Sequence, residues 1–168
     1  MFSYCPQCKS DQLEYTKQKR THCLSCGFVF YQNTAAAVAV LVKFENRFIV
    51  LKRGRNPGKG MLDLPGGFVD PGESAEAGCH REIKEELGIS VQNITYVGSC
   101  PNIYPYKGVT YTTCDLFFIA ECIDTNFVRQ IDEVDEILLL ERDEIKIELF
   151  AFESIRNFLK DHFTEVTA

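Results

Sequence analysis

The longest apolar runs lie early in the chain. AAAVAVLVKF (35–44) and FIVLKR (48–53) flank the polar turn Glu45-Asn46-Arg47 and read as a hairpin. Strands that are apolar at nearly every position are those covered on both faces. The following segment, GRNPGKGMLDLPGG (54–67), is rich in Gly and Pro and breaks regular structure. A helix is predicted over 75–87, where Ser74 stands ready to cap, no proline interrupts, and Gly88 occupies the place of a left-handed terminal residue. SVQNITYVGSC (90–100) and TYTTCDLFFIAEC (110–122) read as strands joined by a connecting loop, PNIYPYKGV (101–109). LLLE (138–141) reads as a short buried strand. The last periodic stretch, AFESIRNFLKDHF (151–163), places Phe152, Ile155, Phe158, Leu159 and Phe163 on one helical face. This order predicts an α/β (α+β) architecture with helices on either side of a mixed sheet.

Composition leaves that picture intact. The 168 residues are 45% hydrophobic with 13 Phe and 7 Tyr, enough for a real core and unlike a disordered chain. No apolar run is long enough to span a bilayer, and MFSYCPQCKS does not open as a secretory signal, so the expectation is a cytoplasmic protein without a membrane partner. The cysteines change the picture more. Of eight, four form two pairs, Cys5-x-x-Cys8 and Cys23-x-x-Cys26, separated by 14 residues. Two such turns supply the four thiolates of a closed structural zinc site; iron is the alternative on ligand type, and zinc is preferred. His22, beside Cys23, is expected to be a bystander, although it offers a substitute ligand. With the polar, strand-like LEYTKQKRTH (13–22) between the pairs, residues 1–31 resemble a zinc ribbon, a module folded by its metal, and 35–168 form a second domain. Lys9, Lys17, Lys19 and Arg20 stand against Asp11 and Glu14, and a tetrathiolate zinc adds two negative charges, which brings the ribbon to neutrality. The chain carries net charge −6 with pI near 5.1. A nucleic-acid partner is therefore not expected, and the ribbon reads as a structural or dimer-forming module in a possible homodimer.

The predicted helix carries the chemistry. Glu82, Glu85 and Glu86 stand at i, i+3 and i+4, so three carboxylates share one face, and Glu73 lies just ahead of the helix. Like charges at these spacings are mildly unfavourable unless a cation covers them, and a divalent metal is the natural one. Residues 67–89 contain Gly67, five residues, Glu73, seven residues, then Arg81-Glu82-Ile83-Lys84-Glu85-Glu86-Leu87-Gly88-Ile89. This resembles the complete motif of the Nudix hydrolases, nine fixed positions in 23 residues, against the bland alternative of a solvated acidic helix face. The resemblance covers about residues 35–168 and implies an α/β/α sandwich. It implies Mg²⁺, or Mn²⁺ in its place, held by Glu82, Glu85 and Glu86 with the Gly67 carbonyl. It also implies an orienting role for Arg81. Glu73 is expected to brace that arrangement or to reach metal through water. Gly66 and Gly67 read as backbone that must turn tightly, while Ile83 and Leu87 read as core. Gly78 is out of place in a helix interior on sequence grounds.

The implied reaction is Mg²⁺-assisted cleavage of a pyrophosphate bond. In this family the general base often comes from a later loop. Glu133 and Glu136, in IDEVDEILLL (131–140), match that place best, with Glu82 a competitor and an ordinary acidic surface the plain alternative. Residues 124–148 indeed hold nine acids against three bases. Arg53, Arg55 and Lys59 either meet a pyrophosphate or are exposed loop charges. Tyr104 and Tyr106 either stack on a base or sit in a rigid loop. A zinc ribbon ahead of such a domain resembles the NADH pyrophosphatase group, but that group's Ser-Gln-Pro-Trp-Pro-Phe-Pro array is absent and the chain has no Trp. The proline near that place also resembles ADP-ribose pyrophosphatases. The substrate expected first is ADP-ribose, then NADH or NAD, with FAD or diadenosine polyphosphates behind. Removal of an NAD cap from RNA is the alternative enzyme reading, and a ligand-sensing regulator without turnover the alternative outside enzymes.

Overall fold

Alternating burial in two central strands sets the layers of the larger unit. In Ala35–Phe44 (β4), Val38, Val40 and Val42 face one side and Ala39 and Leu41 the other, and all five are buried. The computed structural model of the chain describes residues 2–16, 19–124, 126–130 and 132–164. The chain divides into two compact units, Met1–Thr34 and Ala35–Ala168.

The first unit is a three-stranded antiparallel sheet of Leu13–Tyr15 (β1), Arg20–Cys23 (β2) and Val29–Tyr31 (β3), in the order β1-β2-β3. It has almost no hydrophobic interior, since only Cys5, Thr21 and Cys23 are buried among its described residues. Lys17 and Gln18, within the stretch read as strand-like, lie outside the described residues.

In the second unit, β4 turns at Glu45-Asn46 into Arg47–Arg53 (β5), pairing Val42 with Ile49 as the expected hairpin. Leu62–Asp63 (β6) pairs with β5, and Gly66–Phe68 (β7) with β4. Helix α1, Ala75–Leu87, follows. The Ser74 hydroxyl accepts from the Ala77 amide at 3.2 Å, and Gly88 ends the helix at φ 72° with its N–H on the Lys84 carbonyl. Val91–Tyr106 (β8) and Val109–Cys122 (β9) form a long hairpin. Val134–Glu141 (β10) and helix α2, Glu153–Thr164, complete the unit. The strand order β10-β5-β4-β9-β8 is antiparallel except for β4 with β9, so the sheet is mixed as predicted. Cys79, Ile83 and Leu87 of α1 pack with Val38, Val40, Val42 and Phe118 on one face. Ile155, Phe158 and Leu159 of α2 pack with Leu41, Val50 and Phe117 on the other. No helix among the described residues is long and apolar enough to cross a membrane.

One segment departs from the sequence reading. PNIYPY (101–106) is the second half of β8, not a connecting loop, and the turn is only Lys107-Gly108. Two prolines argue against a central strand, but β8 is the edge of the sheet, where a missing N–H leaves no ladder partner unsatisfied. In this half Asn102, Tyr104 and Tyr106 share one face, half-buried, while Ile103 and Pro105 point to solvent. LLLE is likewise only the end of the longer β10, and its leucines are half-buried rather than buried.

Candidate active site

The acidic face of α1 is organised by Arg81. Its guanidinium donates to both oxygens of Glu73 at 3.0 and 2.9 Å, to Glu82 Oε1 at 2.7 Å, to the Phe68 carbonyl at 2.9 Å and, at 3.4 Å, to Glu85 Oε2. One planar fork thus fixes three carboxylates and the backbone of β7. Glu73 also accepts from the Asp70 amide, and its hydrogen bonds with Arg81 hold its carboxyl below the usual range. Helix α1 makes room for this. A methyl at Gly78 would stand 3.1 Å from Glu73 Oε2, so the helix-interior glycine that sequence left unexplained is where the Glu73 side chain crosses toward Arg81.

Glu86 lies deeper, 7% exposed, and accepts from the Gly66 amide at 2.9 Å. Burial pushes its carboxyl well above the ordinary range. The Gly66 hydrogen bond opposes this, and Glu82, Asp63 and Glu133 add to it. Glu82 is also raised by burial, against the pull of Arg81. Both glycines of β7 stand close to other groups, Gly66 to backbone and Gly67 to the end of the Glu82 side chain. A side chain at Gly66, φ 153°, would overlap the Val38 carbonyl, and one at Gly67 would overlap the Glu82 carboxylate.

Gly66, Gly67, Glu82, Glu85 and Glu86 line a cleft of about 320 Å³ that continues past β7 to the α2 side of the sheet. At one end stand Glu82, Glu85, Glu86, Asp70 and Glu133; at the other, Phe68, Tyr104, Tyr106, Asn102, Asp115 and Phe152. The segment before β10 reaches the acidic end because it is tied to the C-terminus of α1, through Val128 N–H on the Leu87 carbonyl and Gln130 N–H on that of Glu86. Gly54 then donates to the Glu133 carbonyl at 2.8 Å, and Arg55 pairs with the Glu133 carboxylate at 2.5 Å.

In the first unit the four cysteine sulfurs all lie within 4.8 Å of one another. Cys5 and Cys26 stand 3.7 Å apart, Cys8 and Cys23 3.6 Å. Zn–S bonds of about 2.3 Å in a tetrahedron place sulfurs about 3.8 Å apart, so the donor set fits zinc. His22 faces Glu14 at 3.9 Å and is not in the cluster. Among the described residues no other group of three or more such ligands converges that closely; Glu82, Glu85 and Glu86 share the cleft at wider separation.

Comparison with known proteins matches the NUDIX domain over residues 32–161. The chain belongs to the NUDIX family. It is 36% identical over 118 residues to the NAD-capped RNA hydrolase NudC of Chromobacterium violaceum, covering 70% of this chain and 42% of that protein. With the same-named protein of Deinococcus radiodurans it shares 31% over 137 residues, 79% of this chain and 46% of the relative. The chain thus spans less than half the length of these curated relatives. A NUDIX hydrolase structure from Nitrosomonas europaea superposes with a TM-score of 0.75 at 26% identity, covering 96% of this chain and 90% of the other. The NUDIX domain of Shewanella oneidensis NrtR, solved with ADP ribose, shares the fold at 17% identity, with a TM-score of 0.66 and coverage of 82% and 91%.

Within this NUDIX domain the structure brings most of the candidate residues together. Gly67, Glu82, Glu85, Glu86, Arg53, Arg55, Tyr104, Tyr106 and Glu133 line the cleft. Glu136 does not; it is exposed and faces Lys52 at 3.7 Å. Glu73 does not line the cleft either, but holds Arg81 from behind. Arg53 is no loose loop charge. It ends β5, pairs with buried Asp63, donates to the Pro57 carbonyl and lies 4.8 Å over the Phe152 ring. Lys59 is exposed and outside the cleft. Sequence reasoning missed Asp63 and Asp115, both 8% exposed. The signal was there, since each is a charge set among apolar strand neighbours.

Proposed function

We propose that the chain hydrolyses the pyrophosphate bond of a nucleoside diphosphate linked to a second group, with ADP-ribose first and NADH or NAD second. The observation that carries this reading is the acidic end of the cleft, where buried Glu86 and the Arg81-held Glu82 face open space with Glu85 and Glu133. Hard carboxylate oxygens on one helix face, two of them raised above their ordinary range by burial, suit magnesium or manganese. Bound there, the metal would neutralise charge developing on phosphoryl oxygens and acidify water.

The chain's own residues do the rest. Arg81 orients Glu82 and, at longer range, Glu85, and the Gly66 amide holds Glu86, before substrate arrives. Glu133 is the proposed base, taking the proton of the attacking water, with Glu82 the competitor. Arg55, exposed and already beside Glu133, is placed to meet the phosphates. Tyr104, packed edge-on to Phe68 at 5.6 Å and tilted against Phe152 at 5.6 Å, supplies an aromatic wall for a base, joined by Tyr106. The four-cysteine cluster is proposed as a structural zinc site, and the compartment as the cytoplasm.

The likeness to the NudC proteins supports a second reading, removal of an NAD cap from RNA by the same bond cleavage. A panel of ADP-ribose, NADH, NAD, FAD, diadenosine tetraphosphate and an NAD-capped oligonucleotide, assayed with Mg²⁺ and product identification, tests both. Cleavage between the two phosphorus atoms of at least one is expected; no cleavage of any contradicts the proposal.

A further inference from the structure

The end of the cleft away from the glutamates holds a second, differently built polar group. Asp115 on β9 is more than nine-tenths buried and lines the cleft. Its oxygens accept from the Thr113 hydroxyl and the Ser154 hydroxyl, both at 2.6 Å, and it makes no ion pair among the described residues. A carboxylate offers about four lone-pair sites, so two remain after those bonds. Beside it on the same face of the hairpin is Asn102, paired across the strands with Thr113. The Ile103 amide donates to Asn102 Oδ1 at 2.9 Å, which leaves the Asn102 NH₂ group to donate into the cleft. Ala37, the register partner of Asp115 on β4, keeps this end open, and Tyr104, Phe68 and Phe152 form its aromatic walls.

An acceptor beside a donor, set between aromatic walls, is complementary to a base edge that presents an amine beside a ring nitrogen. We propose that Asp115 and Asn102 read the amino edge of adenine, the exocyclic amine donating to Asp115 and the adjacent ring nitrogen accepting from Asn102. This rests on the cleft taking a nucleotide, as proposed above. Thr113 and Ser154 are positioning residues, since their hydroxyls hold the Asp115 carboxylate with its remaining lone pairs toward the ligand. Hypoxanthine in the same orientation presents an oxygen to Asp115. Two acceptors then face each other, and a buried carboxylate loses its partner. Leaving such a buried group unpaired costs about 10- to 10²-fold in affinity.

The test uses the full chain with Mg²⁺ and measures equilibrium binding of AMP and IMP by calorimetry. AMP is expected to bind at least about tenfold more tightly than IMP. Asp115→Asn keeps an acceptor for one hydroxyl and presents an NH₂ group, and should bring the two affinities to within about threefold. Asn102→Ala, at a half-buried edge position, should shrink the same ratio and serves if the Asp115 variant does not fold. Equal affinities in the wild-type chain, or no binding of either nucleotide, overturn the proposal. Because binding is read without turnover, an AMP preference in a chain that cleaves nothing in the substrate panel would keep the base site and remove the hydrolytic reading. Cleavage without base preference would do the reverse.

Discussion

The molecule contains two clusters of would-be metal ligands, and they are built on opposite plans. The four cysteines of the first unit converge to within 4.8 Å, in a module that buries almost nothing else among its described residues. The three glutamates of α1 are kept apart, Glu82 by Arg81 and Glu86 by the Gly66 amide, and they sit on a helix anchored through Ile83 and Leu87 in a hydrophobic layer. A closed set of soft ligands stabilises a fold, whereas a spread set of hard ones in a cleft leaves positions for substrate and water. In the first unit the ligands replace a core. In the second a hydrophobic layer holds the helix, and burial raises the carboxyls of Glu82 and Glu86.

The largest expected effect tests the first plan. Cys23→Ser should abolish the folded ribbon and its zinc, since structural zinc contributes on the order of 10 kcal/mol to such modules. Wild-type chain should carry about one zinc per molecule by elemental analysis, and loss of protected ribbon amides in hydrogen exchange reads the unfolding. A zinc-free ribbon that stays folded would break the contrast.

Glu86→Gln tests the second plan. It should lower turnover of a confirmed substrate by about 10²- to 10³-fold while the fold is retained, because the glutamine still accepts from Gly66 and no longer carries charge. Thermal unfolding of the variant should show no loss of stability, and wild-type turnover would remove Glu86 from the site.

A smaller effect is expected of Arg81→Lys. A lysine ammonium is a point charge and cannot bridge Glu73, Glu82 and the Phe68 carbonyl together, so activity should fall about 10- to 10²-fold, with metal affinity falling alongside. Unchanged metal dependence would make Arg81 purely structural.

The smallest effect is on stability against pH without added Mg²⁺. A carboxyl raised in the folded state binds its proton more tightly folded than unfolded, so its contribution is full below the ordinary glutamate value near 4.5 and is lost as pH rises through the folded value. Asp63, pushed up to about 6 by burial against the pull of Arg53, adds in the same direction. Glu73, lowered by Arg81, works oppositely. With the raised groups in the majority, Tm in chelator should fall between about pH 5 and 7, and Mg²⁺ should restore it.

The parts that sequence made legible are those whose meaning lies in spacing. The carboxylates at i, i+3 and i+4, the capped helix around them and the paired cysteines depend on neighbours a turn away, and the structure shows them in that arrangement. The apolar strands likewise announced a sheet covered on both faces. What stayed hidden depends on how side chains meet once the chain has folded. Arg53 stays open between a phosphate contact and an exposed loop charge because Asp63 and Phe152 meet it only in the fold. Asp115 is not singled out by the sequence because Ser154, which shares it with Thr113, comes from α2. Gly78 had no explanation until Glu73 was seen to lie across it. PNIYPY read as a loop because its prolines were weighed without knowing that the strand is an edge.

Whether the glutamate end of the cleft cleaves pyrophosphate with a metal is decided by the rate of AMP release from ADP-ribose by the purified full chain, followed as Mg²⁺ is raised from a chelated start. No release is expected in chelator and a saturable rise with Mg²⁺, with ribose 5-phosphate formed in equal amount. Release that is indifferent to Mg²⁺, or absent with every substrate of the panel at saturating metal, would contradict the assignment.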